Sequence, residues 1–194
     1  MSQNSKLALL FLSCLAYAIL RYNVVFEVDW SRLPGYVINK TLAFTSVASL
    51  LLATLSFVRL HSPQAKFWGQ VSFHSAVLHT CLSLALNSPH NYPAFFRESG
   101  DFLNLKGQLI FLSGALGIWV YWILFQTHPK ADRFRQLKVL SCLIMAAHLI
   151  PMGIPKWVHP STWKGMPQIS LLSFALVMGS LVVLLKRGGT KTEG

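Results

Sequence analysis

The sequence predicts an all-α integral membrane protein that folds as a six-transmembrane-helix bundle. Of the 194 residues, 53% are hydrophobic and only 12% are charged, about half the charged share of a soluble domain. The mean hydropathy is +0.48. A soluble domain of this length has too small an interior to bury so many apolar side chains. Apolar runs of about 20 residues favour membrane helices over barrel strands.

Six apolar runs are each close to the length of helix, about 20 residues, that crosses roughly 30 Å of hydrocarbon. The first is interpreted as an uncleaved span, because Lys6 alone precedes it and the run is long for a signal peptide. The longest polar segment is 87–106, so the chain 1–194 is interpreted as a single transmembrane domain. The predicted spans are residues 7–26, 36–58, 67–87, 105–126, 136–154 and 167–185.

The charge distribution predicts the orientation of these spans. The net charge of +11 comes from 17 Lys and Arg against 6 Asp and Glu, but the bases cluster in short loops and no nucleic-acid motif is present. With the N-terminus in the cytoplasm, the bases on the cytoplasmic side outnumber those outside, which predicts that both termini lie on the cytoplasmic side of the membrane. The cytoplasmic bases are then Lys6, Arg59, Lys66, Lys130, Arg133, Arg135, Lys138, Lys186, Arg187 and Lys191, and the outer ones are Arg32, Lys40, Arg97, Lys106, Lys156 and Lys164.

Small and sulfur-containing side chains lie within the apolar runs. Cys14, Cys81 and Cys142 form no CxxC pair, so we expect buried free thiols rather than a zinc site or a disulfide. Four glycines are expected to supply the close contacts on which helix packing in membranes depends. They are Gly69, Gly107, Gly114 and Gly117.

Three of the seven histidines lie inside predicted spans, where an ionisable side chain is costly and usually functional. His79 and His148 each follow the start of their span by twelve residues, which places both rings about 18 Å from the cytoplasmic end at 1.5 Å per residue. Spans 3 and 5 run in the same direction, so the two rings are level. This arrangement suits a haem with two axial imidazoles. A structural polar contact and a proton or ion path are the alternatives.

The remaining histidines are given structural roles. His74 precedes His79 by five residues, or about 140° around the helix, so the two cannot serve one metal from the same face. We expect His74 to form a hydrogen bond to a neighbouring helix. The loop histidines, expected to be solvated, are His61, His90, His128 and His159.

Short motifs around these histidines resemble the ferric-reductase-like transmembrane family. In that family a glycine opens the third span and a haem-ligating histidine follows ten residues later, as Gly69 and His79 do here. The fifth span of the family resembles 134–148, with His148 at its second histidine. The motif at 39–43 and the Tyr92-Pro93 loop are also similar. The compact size resembles the MsrQ/YedZ branch of haem-binding membrane subunits.

The resemblance implies one haem b, held by His79 and His148 as axial ligands of its iron. The inner histidine of the family's fifth span falls on Arg135, and Ala65 stands where two-haem members have their inner ligand in the third span. The expected function is a membrane b-type cytochrome that passes electrons to a periplasmic reductase or to ferric iron.

The expected electron donor is a separate flavoprotein reductase or a membrane quinol, since the chain has no GxGxxG motif. A flavin or quinone could bind on the cytoplasmic side. The bases of 130–138 are expected to contact lipid headgroups, with docking of an acidic reductase or a flavin phosphate as the alternative. The alternative function is a non-redox membrane protein, such as an assembly factor or a small transporter, that retains the fold without haem.

Overall fold

A computed structural model describes residues 2–59, 62–127 and 132–186. Within these ranges the regular structure is helical, and an isolated bridge pairs Phe96 with Leu103. The six long helices are α1 (Gln3–Ile19), α2 (Ile38–Val58), α3 (Ser62–Ala85), α4 (Leu105–Gln126), α5 (Asp132–Trp157) and α6 (Ile169–Lys186). A π-helical turn, Leu20–Val25, extends α1, and another, Leu33–Val37, leads into α2.

Side-chain caps mark the starts of two helices. The Ser2 hydroxyl accepts a hydrogen bond from the Ser5 amide at the start of α1. The Asn104 side chain accepts one from the Gly107 amide at the start of α4. Each cap satisfies an amide that has no partner within its helix. The site described below depends on the second cap, because it fixes where α4 begins.

Helices α2 to α6 form a closed ring. α2 packs against α3 and α6, α4 packs against α3 and α5, and α5 packs against α6, while α1 lies outside the ring against α2. Neighbouring helices along the chain pack against one another, as in other helix bundles. The core inside the ring includes Leu50, Phe73, Tyr121, Cys142, Val177 and Leu184.

Among the described residues, five helices are long and apolar enough to cross a membrane by length and composition, which makes this chain an all-helical, multi-pass membrane protein. Helix α3 is not among the five, although its 24 residues would extend about 36 Å. Its hydropathy is lowered by polar side chains, and several of these bond within the bundle. Ser72, for example, exchanges hydrogen bonds with Ser46 of α2, at 2.8 and 2.9 Å.

The bundle is apolar outside and partly polar inside, as expected of a protein surrounded by lipid. Leucines such as Leu9 and Leu112 are more than half exposed on the outer faces of their helices. Thr41, Ser49 and Thr54 of α2, by contrast, are fully buried. A soluble bundle has the reverse distribution.

Several sequence-based expectations need correction. Cys14 and Cys142 are buried free thiols, but Cys81 is exposed, because it lies on the outer face of α3. The position of a Cβ built on Gly69 has no neighbour within 4 Å, so this glycine supplies no close packing contact.

Helices α3 and α5 begin five and four residues before the predicted spans. His61, His128, Lys130, Arg187 and Lys191 lie outside the described residues, whereas His90 and His159 are exposed as expected.

Candidate cofactor site

His79 is held by the first turn of α2. Its Nδ1 lies 2.6 Å from Asn39 Oδ1 and 3.2 Å from the Asn39 carbonyl oxygen. Both atoms are acceptors, so we assign the ring proton to Nδ1, which leaves a lone pair on Nε2. The Asn39 side chain is itself fixed, because its Nδ2 donates to Ser83 Oγ at 3.0 Å and to the Tyr92 hydroxyl at 3.1 Å.

His148 is held in the same manner by the second turn of α4. Its Nδ1 donates to the Ile110 carbonyl oxygen at 2.9 Å and lies 3.3 Å from Ser113 Oγ. Gly114 permits this approach. A Cβ at Gly114 would lie 3.4 Å from His148 Cε1 and 3.5 Å from Nδ1, so a larger side chain at this position would displace the ring.

The two rings lie at the same height in the bundle. His79 is 17 residues into α3 from Ser62, and His148 is 16 residues into α5 from Asp132, a difference of about 1.5 Å along the axis. Their anchors, Asn39 and Ile110, lie near the starts of α2 and α4. Counted along the helices, the two sequence-predicted residues therefore lie at similar levels, in the half of the bundle that we predicted to be the outer one.

The donor set fits a haem with two imidazole ligands. Within the described residues, Nε2 of neither ring has a hydrogen-bond partner, and both rings are only half-buried. The described parts of α3 and α5 share no extended contact, since other helices of the ring separate them. Hydrogen bonding at Nδ1 orients a ligating imidazole and increases its basicity. No group of three or more His, Cys, Asp or Glu side chains forms in the described ranges. A haem with two histidine ligands would need no such group, because the macrocycle supplies the other four nitrogens.

His74 lies on a different face of α3, as predicted from the helical spacing. Its side chain is exposed, and its Nδ1 bonds to the Gln70 carbonyl oxygen of the same helix at 2.8 Å. The ring packs edge-on against Phe73 and Phe125. It lines a groove of about 470 Å³ between α3 and α4. The expected hydrogen bond thus forms within α3 rather than to a neighbouring helix.

The inner end of α5 differs from the sequence-based interpretation. Arg135 and Lys138 belong to the helix, not to a loop. Lys138 is buried, and its Nζ lies 4.1 Å from the centre of the Phe57 ring and 4.9 Å from that of Phe134. This lysine is thus enclosed and does not present its charge to lipid headgroups or to a docking partner. Arg135 donates to the Leu184 carbonyl oxygen of α6 at 3.2 Å.

Sequence reasoning gave no role to Asn39 or Ser113, although Asn39 lies in the motif at 39–43, and it gave Gly114 only a role in helix packing. One signal was available for Asn39. A carboxamide in an apolar span is costly unless its polar atoms find partners, and Asn39 is 1% exposed. The partner, His79, lies forty residues away, and only the packing of α2 on α3 identifies it. Comparison of the chain with family models and with curated proteins finds no match.

Proposed function

We propose that this protein is a membrane b-type cytochrome, the electron-transfer subunit of an oxidoreductase system. One haem b would be bound between α3 and α5, with His79 and His148 as its axial ligands. The observation that carries the proposal is the pair of imidazoles at similar levels, each anchored at Nδ1 by an oxygen atom of the preceding helix and each without a described partner at Nε2. A histidine with a merely structural role would be expected to use both nitrogens.

When bound, haem b supplies one-electron redox chemistry at its iron. The protein chain would position the cofactor. Asn39 and Ile110 fix the tautomer and the direction of the two rings before the cofactor arrives, so little freedom is lost on binding. With both axial positions taken by histidine, no coordination site remains for dioxygen, which favours electron transfer over oxygen chemistry.

The proposal includes the topology. Helix α3 would be the sixth span, with its polar groups directed at α2 and at the site, and both termini would lie in the cytoplasm of a bacterial inner membrane. The site then lies toward the periplasmic end, where electrons would leave to a periplasmic reductase or to ferric iron. The electron donor would be a separate flavoprotein reductase or a membrane quinol, and a flavin or quinone would bind near the cytoplasmic end. The resemblance to the ferric-reductase-like family supports this assignment.

The test is the reduced-minus-oxidised absorption spectrum of the protein purified in detergent. The proposal predicts b-type bands at about one haem per chain. The cells should supply ample haem, and elution of the protein as a single species should show that it is folded. A colourless preparation under these conditions would instead support a non-redox membrane protein that retains the fold.

A further inference from the structure

Lys40 is a membrane-embedded cation without an anion. It follows Asn39 in the first turn of α2, and its side chain is half-buried. Among the described residues its ammonium has no carboxylate partner and no hydrogen-bond acceptor. Its Nζ instead lies over two aromatic rings, 5.3 Å from the centre of Tyr36 and 5.8 Å from that of Tyr92.

Other cations at this end of the bundle have backbone partners. Arg21 donates to the Met166 carbonyl oxygen, Arg32 to that of His90 and Lys164 to that of Val25. Lys106, in the first turn of α4, is the closest match to Lys40, because its Nζ also lies over a ring, 6.0 Å from the centre of Phe95. Lys40 differs from Lys106 in the ring beneath it, because Tyr92 is hydrogen-bonded to Asn39, the residue that holds His79, whereas the Phe95 ring beneath Lys106 has no hydrogen-bonding group.

The neighbours of Lys40 connect it to the same site. The Tyr92 hydroxyl accepts from Asn39 Nδ2, and Asn39 holds His79. A charged ammonium in a bundle interior is costly unless an opposite charge balances it. Haem b carries two carboxylates, and burying a carboxylate without a cation is costly for the same reason. A pair formed by the Lys40 ammonium and a haem carboxylate would therefore balance both charges.

We propose that Lys40 binds a carboxylate of the cofactor held by His79 and His148, so that Tyr36, Lys40 and Tyr92 form an anion subsite that fixes the orientation of the macrocycle. This inference rests on the proposed function. It assigns Lys40 a binding role that neither the spacing of the histidines nor the resemblance provides. The two tyrosine rings lie beside the ammonium of Lys40, and its N–H groups have no acceptor among the described residues, so they can donate to a carboxylate oxygen.

The test compares haem b with its dimethyl ester, in which both carboxylates are blocked. Protein produced in haem-deficient cells is titrated with each compound in detergent. In the unaltered protein, the ester should bind about tenfold more weakly than haem b, the loss expected for one charge-assisted hydrogen bond. This arm needs no variant, and equal binding of the two compounds would overturn the proposal.

Variants then identify the residue. Lys40→Gln should weaken binding of haem b about tenfold, leave binding of the ester unchanged and lower the midpoint potential, because a positive charge near the iron is lost. Lys40→Arg should restore haem b binding, and Lys106→Gln should behave as the unaltered protein. If Lys40→Gln weakens both compounds equally, or neither, Lys40 does not bind the carboxylate. If the unaltered protein binds no haem at all, the proposed function fails as well, and the two failures are therefore distinguishable.

Discussion

Replacing Asn39 with leucine removes the side-chain oxygen that orients His79 while keeping a side chain of similar size. The side chain loses its hydrogen bonds with three partners. Its Oδ1 accepts from His79 at 2.6 Å and from Ser83 at 3.3 Å, and its Nδ2 donates to Ser83 and Tyr92 at 3.0 and 3.1 Å. At about 0.6 kcal/mol for each polar contact in a membrane bundle, the variant should lose about 2 kcal/mol of stability.

The effect on cofactor binding should be larger than the effect on stability. Loss of a residue that orients a metal ligand typically costs roughly 10–100-fold in affinity, and we expect a loss in that range for Asn39→Leu. His79 would retain the longer contacts of its Nδ1, to the Asn39 carbonyl oxygen at 3.2 Å and to Ser83 Oγ at 3.5 Å, which are at or beyond the long end of the hydrogen-bond range. The measurement is the rate at which haem transfers from the detergent-solubilised protein to excess apomyoglobin.

Two further variants separate orientation from general destabilisation. Asn23 is also buried and donates to the Val28 carbonyl oxygen at 2.9 Å, but it has no contact with either histidine. Asn23→Leu should therefore lower stability without accelerating haem loss. Asn39→Asp should lower the midpoint potential, because a carboxylate at Nδ1 makes the imidazole more basic and favours the ferric state. The reasoning is refuted if Asn39→Leu releases haem no faster than Asn23→Leu and Asn39→Asp leaves the potential unchanged.

Three other outcomes are expected. Gly114→Val should reduce haem content, because the valine side chain would push His148 away from Ile110. Gly117→Ala should be tolerated, since its Cβ would lie 3.6 Å from Ile144 Cγ2. Retention of haem by Gly114→Val would show that the position of the His148 ring is not critical. A reporter fused after Gly194 should be active only if it functions in the cytoplasm, and activity of a periplasmic reporter at this point would exclude the proposed orientation. The haem-to-protein ratio from the pyridine haemochrome assay should be close to one, because a guanidinium at Arg135 cannot ligate iron; a ratio near two would mean that a further ligand pair exists, with His74 examined first.

The helical, membrane-spanning character of the chain could be predicted from the sequence because it depends on composition and run length. The levels of His79 and His148 could be predicted for a related reason, since rise per residue is a local property of a helix. Although α3 and α5 begin before the predicted spans, the two errors are nearly equal and leave the relative heights of the rings unchanged.

What could not be predicted depends on tertiary contacts. The sequence does not show that α2 supplies the oxygen for His79, or that α4 supplies the one for His148. It also gave the wrong environment for Lys138, which hydropathy places at a polar end but which two phenylalanine rings enclose. Cys81 and Gly69 were misjudged because the apolar run of α3 does not reveal which face of the helix meets the bundle.

The proposed pair of ligands is tested by the absorption spectra of three histidine variants, compared at equal protein concentration. His79→Ala and His148→Ala should each lose most of the b-type absorbance, because either change leaves the iron with one protein ligand. His74→Ala should keep it, since the His74 side chain is exposed and bonds only to the Gln70 carbonyl oxygen of its own helix. Loss of the bands in His74→Ala, together with their retention in His148→Ala, would contradict the assignment of the site.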